Sequence, residues 1–450
     1  MHVVVVGGGI AGLAAAHDLT GRGARVTIIE SARDVGGKLR VSEVGGTAID
    51  EGAEQILLRM PEAVDLVGQV GLSDDLVTPR RSGAGVVVRG RLRTLPAPTV
   101  LGVPASLASA RAVLGPAELV RAAADLVLPP RTSAEDVSVA DLVGHRLGRG
   151  VVDRLVEPLL GGVYAGRPEL LSARATLPQL ADVRGSLIRA AQRMTADATG
   201  AGPVFATLRG GLGRLPAAVA RASGATVVAG RTVRRLERSA TGWRVVHGPT
   251  TDEQPIDADA VVVAVPAAPA ARLLVDVAPA AAADLANIDY ASMAIVTLVW
   301  PGATLPPGTG YLVPAVERHP VKAVTFTSAK WGLDTDGSQA IRCSIGRYGD
   351  VADLQRDDDE LVEIATAELR ATIGLAGTPA AARVSRWGGG LPQYAVGHVD
   401  RIRRIRAAVA AVPGLAVCGA AYEGIGVPAC VRSGRSAARL VFAGRPTSDG

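Results

Sequence analysis

Six residues near the start of the chain, Gly7-Gly8-Gly9-Ile10-Ala11-Gly12, have types and spacing that suit the binding of a phosphate-bearing ligand. They follow the β-branched run Val3 to Val6 and precede Leu13 to Leu19, so the order is buried strand, Gly-x-Gly-x-x-Gly, helix. In that setting Gly7 makes the tight turn, Gly9 lets a pyrophosphate approach the backbone, and Gly12 lets helix and strand pack closely. The phosphates are expected over the helix N-terminus, where unpaired N–H groups and the helix dipole favour negative charge. A second run, Arg25 to Ile29, reads as a parallel strand and ends in Glu30. Its carboxylate can accept the hydroxyls of an adenosine ribose and would repel a 2′-phosphate. The glycine motif alone could be a bare turn between strand and helix. With the strand, the helix and the distal acid in place, it points to a bound dinucleotide.

Placing those groups requires a Rossmann-like α/β domain, and a chain of 450 residues exceeds one ordinary core. The pattern divides into alternating segments. Residues 1–78 form the first part of the nucleotide-binding domain and 79–96 a hairpin of a substrate domain, turning at Gly90. Residues 97–205 form a helical insertion. Residues 206–266 return to the nucleotide domain, 267–383 make a β-rich substrate domain with an antiparallel sheet, and 384–450 close the nucleotide domain. The tail after Phe442 has no periodicity. Within the insertion, Leu101 to Leu128 is helical in composition but broken by Pro104 and Pro116. Its leucines suit core packing, with peripheral contact at a membrane face as the alternative.

Composition narrows the partners. Apolar residues make up 48% and charged residues 20%, as in a soluble globular protein, while aromatics are only 3%. Acidic and basic residues are mixed without blocks, and aromatics are too few for base stacking, so nucleic-acid binding is not expected. Of the 48 basic residues only Lys38, Lys322 and Lys330 are lysines, which points to a GC-rich genome. Cys343, Cys418 and Cys430 form no paired motif and have no His at ligand spacing, so neither a metal nor a disulfide is expected. The first strand begins at the second or third residue and no run has the ~20 apolar residues of a span. These features suggest a cytoplasmic protein, with at most peripheral membrane contact.

Further stretches carry a resemblance. Gly36-Gly37-Lys38-Leu39-Arg40 and Ile49-Asp50-Glu51-Gly52-Ala53 resemble the extended N-terminal signature of the amine oxidase superfamily of flavoproteins. Glu157-Pro158-Leu159-Leu160-Gly161-Gly162-Val163-Tyr164-Ala165-Gly166, with Leu171-Ser172, resembles the substrate-side loop of protoporphyrinogen and coproporphyrinogen oxidases. Arg386-Trp387, Leu391 to His398, and Tyr422 to Pro428 before Cys430 are similar to other segments of that family. On these motifs, spread over nearly the whole chain, the sequence is identified as a member of it, in a form closest to the bacterial coproporphyrinogen III oxidases.

The resemblance implies FAD contacts at Gly7, Gly8, Gly9, Ile10, Ala11, Gly12, Glu30, Ser31, Gly37, Lys38, Gly52, Ala53, Glu54, Gln55, Val233, Trp387, Ile425, Gly426 and Val427. It implies a cavity wall at Gly162 and Tyr164. The implied activity is oxidation of coproporphyrinogen III to coproporphyrin III, with oxygen as acceptor and hydrogen peroxide as product, in haem biosynthesis. Oxidation of protoporphyrinogen IX is the nearest alternative, and a flavin-bearing porphyrin carrier without turnover is another. A flavin amine oxidase, a further alternative, is expected to carry an aromatic cage around the amine, and the scarcity of aromatics speaks against it. Two departures stand out. Ala429 occupies a place where many relatives carry an acid, and Ala84 falls near the position of an arginine that holds a propionate in plant relatives. The propionate anchors are therefore unassigned, with Arg80, Arg81, Arg93, Arg167 and Arg174 in or near the segments around the cavity. His398 and Tyr394 look catalytic by type, but a structural role for His398 and packing beside the flavin for Tyr394 are expected instead.

Overall fold

The computed structural model describes residues 1–130, 135–196, 202–333 and 336–443. The opening valine run forms strand His2–Val6, and Val3 to Val6 are buried on both faces, as a strand between two helical layers must be. Arg25–Ile29 and Ala260–Val263 pair with it in parallel on either side, and Thr226–Val228 and Leu415–Val417 complete a five-stranded parallel sheet. Because side chains alternate along a strand, Val3 and Val5 enter one core and Val4 and Val6 another. Helices Ile10–Gly21 and Val427–Ala443 cover the first face. They lie so close that a Cβ on Gly434 would sit 2.1 Å from the carbonyl oxygen of Ala11.

Helices Ala267–Leu274, Pro279–Ala286 and His398–Ala410 cover the opposite face. This displaces the boundary expected at 266/267. Pro266 does follow the strand, but the alanine-rich helices after it pack back onto the parallel sheet, and the chain next enters the β-rich unit at strand Tyr290–Pro301.

That unit is a seven-stranded sheet in the order Ala381–Pro392, Tyr290–Pro301, Ser338–Ile345, Val321–Phe326, Gly310–Leu312, Gly85–Val88, Arg91–Thr94. Neighbours are antiparallel except Gly310–Leu312 with Gly85–Val88, which run parallel. The strands of the later segment are antiparallel to one another, as expected, and the one parallel pair arises where the early hairpin joins the edge from a distant part of the chain, not through a tight turn. The boundary expected at 383/384 falls inside edge strand Ala381–Pro392. A half-exposed pattern, the run Gly388-Gly389-Gly390 and a register shift against Ala291 and Met293 hide this strand in the sequence. The boundary at 205/206 likewise cuts strand Phe205–Leu208, which pairs with Ile56–Leu57 and Leu76–Val77.

Alternation in Ser338–Ile345 determines what reaches the site. Ile341, Cys343 and Ile345 enter the core shared with Leu361, Ala365 and Leu369 of helix Asp358–Ile373, so Arg342 faces the other way. That helix begins with a capping box of Asp357 and Glu360.

The insertion packs helices Pro116–Ala123, Val139–Leu147, Glu157–Tyr164 and Leu187–Ala196 around one core. Within Leu101 to Leu128, Ala110, Val113, Leu114 and Ala122 turn into that core, although Val120 is 74% exposed. Nothing in this packing supports the membrane contact considered for it. Arg146 is buried against Asp125 at 2.6 Å, and its other nitrogens donate to the carbonyls of Pro129 and Asp125. Such a pair is tolerated in a core only when its donors are satisfied in this way. No helix of the described residues is long and apolar enough to cross a membrane. Beyond Ala443, the unpatterned tail lies outside the described residues.

Candidate functional site

The first glycine turn is a cradle of backbone packed on backbone. Gly7 closes strand His2–Val6 with φ +107°, a conformation that disfavours any side chain, and a Cβ there would lie 2.7 Å from the carbonyl oxygen of Ala264. A Cβ on Gly12 would be 2.0 Å from the carbonyl oxygen of Gly7. Between them, Gly9 is the N-cap of helix Ile10–Gly21, and a Cβ on it would meet nothing within 4 Å. Gly7 and Gly12 are thus pinned by the protein, whereas Gly9 faces open space at the positive end of a helix. Ile10 and Ala11 are buried in the helix's first turn.

Glu30 stands at the end of the neighbouring strand with its carboxylate aimed at this turn. Oε2 accepts from the Gly8 N–H at 2.6 Å, and Oε1 accepts from the Ala32 N–H at 2.8 Å and the Ser31 hydroxyl at 3.2 Å. Each carboxylate oxygen retains further acceptor capacity for a ribose hydroxyl. Ser31 is therefore turned onto Glu30. The backbone of Arg231 donates to Glu30 O at 2.9 Å, which brings Val233, two residues on, beside the same strand end. The second glycine pair lies against the first: Gly36 N donates to Gly8 O at 2.8 Å, and a Cβ on Gly37 would be 3.4 Å from Gly9 Cα.

Farther along, Gly52 passes so close to the chain that its Cβ would be 2.2 Å from Lys38 O and 3.1 Å from the Trp387 ring. Trp387 Nε1 donates to Glu51 O at 3.0 Å. Lys38 is half-buried with its ammonium 6.0 Å from the centroid of Tyr290, and burial lowers its pKa. Ala53 is exposed. The side chains of Glu54 and Gln55 are turned onto protein cations. Lys330 Nζ donates to Glu54 Oε1 and Gln55 Oε1, each at 2.6 Å, and Arg342 pairs with Glu54 Oε2. Burial by itself would raise the Glu54 pKa, but the charges and hydrogen bonds of Lys330 and Arg342 outweigh it and hold the group at about 2.

The C-terminal turn leads through the half-buried Ile425 and exposed Gly426 into helix Val427–Ala443. Tyr394 shapes it: its hydroxyl donates to Ala420 O at 2.6 Å and accepts from Gly424 N–H at 2.8 Å. His398 stacks on the Tyr394 ring at 4.0 Å and meets Tyr422 O through Nε2 at 3.0 Å. Burial lowers its pKa to about 4, so it is neutral near pH 7 and serves as a structural residue. The thiol of Cys430 is buried and pushed up to about 11, which leaves it inert.

On the substrate side, Glu157 to Tyr164 is a helix, not the expected loop. Gly161 and Gly162 do not interrupt it, and it ends at Ala165, which has φ +50°. Gly162 is exposed in the last turn, so only its carbonyl, among the final four of the helix, lacks an intrahelical partner. Tyr164 is 9% exposed with its pKa pushed up to about 12 by burial, and its ring lies 5.6 Å from that of Tyr394. The helix is anchored by Glu157, which accepts from Ala315 N–H at 2.9 Å and lies 3.7 Å from Arg347. Arg80, Arg81, Arg93 and Arg167 are exposed, and Arg81 donates to Pro306 O at 3.3 Å.

Sequence reasoning missed Lys330 and Arg342. One signal pointed toward Lys330: a chain that uses arginine almost everywhere keeps three lysines, and Lys322 and Lys330 are buried while Lys38 is half-buried. Nothing local marks Arg342, whose inward position depends on the alternation of its strand.

A parallel sheet with a glycine cradle, an acid at the next strand end and a second helix N-terminus define a flavin-containing amine oxidoreductase. The family model of that description matches residues 10–442, and the chain belongs to the family. Within it, a Mycobacterium leprae protein named coproporphyrinogen III oxidase is 39% identical over 95% of this chain and 95% of its own. Human protoporphyrinogen oxidase is 29% identical over 99% of both chains. A crystal structure from Exiguobacterium superposes with a TM-score of 0.88 at 28% identity, covering 99% of each chain.

Proposed function

We propose that the protein oxidises coproporphyrinogen III to coproporphyrin III with FAD as cofactor and oxygen as final acceptor, in haem biosynthesis. The observation that carries this reading is similarity along nearly the full length to relatives named coproporphyrinogen III oxidase, reaching 39% identity. Six hydrogens leave the macrocycle in three two-electron oxidations, so three oxygen molecules become three of hydrogen peroxide. The bound flavin supplies the two-electron oxidising capacity.

The chain's own residues hold and orient. The open side of Gly9 and the N–H groups of Ile10, Ala11 and Gly12 suit a pyrophosphate, and Gly7 and Gly8 shape the turn. Glu30 takes the ribose hydroxyls, with Ser31 and Val233 beside it. Gly37, Lys38, Gly52, Ala53, Glu54, Gln55 and Trp387 form the wall toward the substrate sheet. Ile425, Gly426 and Val427 present the positive end of a 17-residue helix to an electron-rich ring edge. Gly162 and Tyr164 form part of the porphyrinogen cavity. With His398 neutral and Tyr164 too weak an acid to ionise, the pyrrole N–H protons leave by tautomerisation, without a strong protein base. Three buried, unpaired thiols agree with a reducing cytoplasmic setting. In domain terms the reading is an FAD domain built from separated segments, a helical insertion and a β-rich substrate domain.

Protoporphyrinogen IX remains the competing substrate because of the similarity to human protoporphyrinogen oxidase. The purified protein is expected to be yellow and to release FAD on denaturation. Anaerobic addition of a porphyrinogen should bleach the flavin, and a lack of bleaching would leave a carrier. Coproporphyrinogen III should give the higher kcat/KM, with a preference that salt weakens, since its four propionates need cations at the cavity edge. Equal efficiency, or a preference for protoporphyrinogen IX, would reassign the substrate.

A further inference from the structure

The stretch from Asp50 to Gln55 is gripped from both sides. From the nucleotide side, the N–H groups of Leu212 and Gly213 donate to Asp50 at 3.0 and 2.9 Å. From the substrate sheet, Arg383 pairs with Glu51 at 2.8 Å, Arg342 donates to Gly52 O at 2.6 Å, and Lys330 and Arg342 share the carboxylate of Glu54. Lys330 and Arg342 are 8% and 6% exposed, so two buried cations converge on one directly paired acid, and Arg342 Nε is buried with no hydrogen-bond partner. An all-apolar contact would hold the two units together without the desolvation that these charges cost. Their position suggests what they are for. Gly52, held by Arg342, is the residue packed against Lys38 O and the Trp387 ring.

We propose that Lys330 and Arg342, acting through Glu54, are positioning residues that join the substrate sheet to the cofactor wall, and that their charge sets the reduction potential of the flavin. Two-electron reduction adds negative charge to the flavin, and a fixed cation in a low-dielectric interior stabilises that state over the oxidised one. Removing Lys330 should therefore lower the potential, and removing the charge of Glu54 should raise it. The inference rests on the flavoenzyme reading above.

The test is potentiometric titration at pH 8 of the holoproteins of wild type, Lys330→Met, Glu54→Gln, Lys330→Arg and the double variant Lys330→Met/Glu54→Gln. Lys330→Met should shift the reduction equilibrium about tenfold toward the oxidised form, ~30 mV for a two-electron couple. Glu54→Gln should shift it by a similar factor in the opposite direction, the double variant should fall between the two, and Lys330→Arg should stay at wild type. Potentials unmoved by Lys330→Met, or both single variants moving in the same direction, would overturn the proposal, because mere structural damage has no reason to change sign with charge. If Glu54→Gln does not fold, Lys330→Met and the double variant decide by whether the second change raises the potential of the first. A wild-type protein that carries no flavin would instead overturn the flavoenzyme reading.

Discussion

Gly12 and Gly162 both sit in helices packed against a neighbouring element, yet only one of them is sterically obligatory. A Cβ on Gly12 would press to 2.0 Å from a backbone oxygen of the turn itself, whereas one on Gly162 would rest 3.6 Å from Cδ2 of Leu312, an ordinary contact. The nucleotide end is built of backbone against backbone, so its residue types are dictated. The substrate end is built of side chains brought from distant segments, and its residue types are free to vary as long as the contacts close. This difference explains why a glycine spacing identifies the first region, while no spacing identifies the propionate anchors.

The comparison is broken most severely at Gly12. Gly12→Ala is expected to abolish flavin loading and destabilise the fold, since the clashing atom is backbone and cannot rotate away. Gly9→Val is expected to lose the flavin but keep the fold, because the space it enters is open in the protein and claimed by the pyrophosphate. Flavin absorbance per protein, measured beside the thermal midpoint of the apoprotein, separates the two. A Gly9→Val protein with normal flavin would show that the cradle is misread.

A smaller effect sharpens the electrostatic side of the nucleotide region. Burial, opposed by the N–H groups of Leu212 and Gly213, raises the Asp50 pKa from its usual value to about 6. A carboxyl with a raised folded pKa contributes stability that is present below its unfolded pKa, near 4, and lost as pH rises through 6. Asp50→Asn, which cannot ionise, should therefore gain on wild type as pH rises from 4 to 7, by up to about 3 kcal/mol. Glu54 has the opposite sign: its folded pKa of about 2 lies below the unfolded one, so its contribution is present above pH 4.5 and lost as pH falls through 2. Denaturant melts across pH on both proteins check this, and a constant difference between Asp50→Asn and wild type would contradict it.

The smallest change is expected at the substrate end. Gly162→Ala should leave stability unchanged or raise it by up to about 1 kcal/mol, because alanine is the better helix former and the added methyl meets only Leu312. If the exposed last turn of that helix lines the porphyrinogen cavity, KM should rise while the melting temperature does not fall. Unchanged kinetics would remove Gly162 from the cavity wall.

Much of the nucleotide half was legible from the sequence because its signals are local. A run of valines, three glycines at fixed offsets and an acid one strand later lie within 30 residues, and the turn at Gly419 to Gly426 before the last helix is equally contiguous. The Glu157 to Tyr164 segment, a loop by its resemblance, is a helix in the fold because the packing of Glu157, Leu160 and Tyr164 overrides the weak helix preference of Gly161 and Gly162.

What the sequence by itself determined is the glycine turn and the parallel core beneath it, where backbone contact excludes a Cβ at Gly7 and Gly12 and burial on both faces calls for the valine run. Only the tertiary structure decided where the charges go. Lys330 meets Glu54 across 276 positions of chain, and Arg342 meets it across 288. Their meeting depends on strand register and on which face of Ser338–Ile345 is turned to the core, and a one-residue slip would turn Arg342 into that core and away from Glu54.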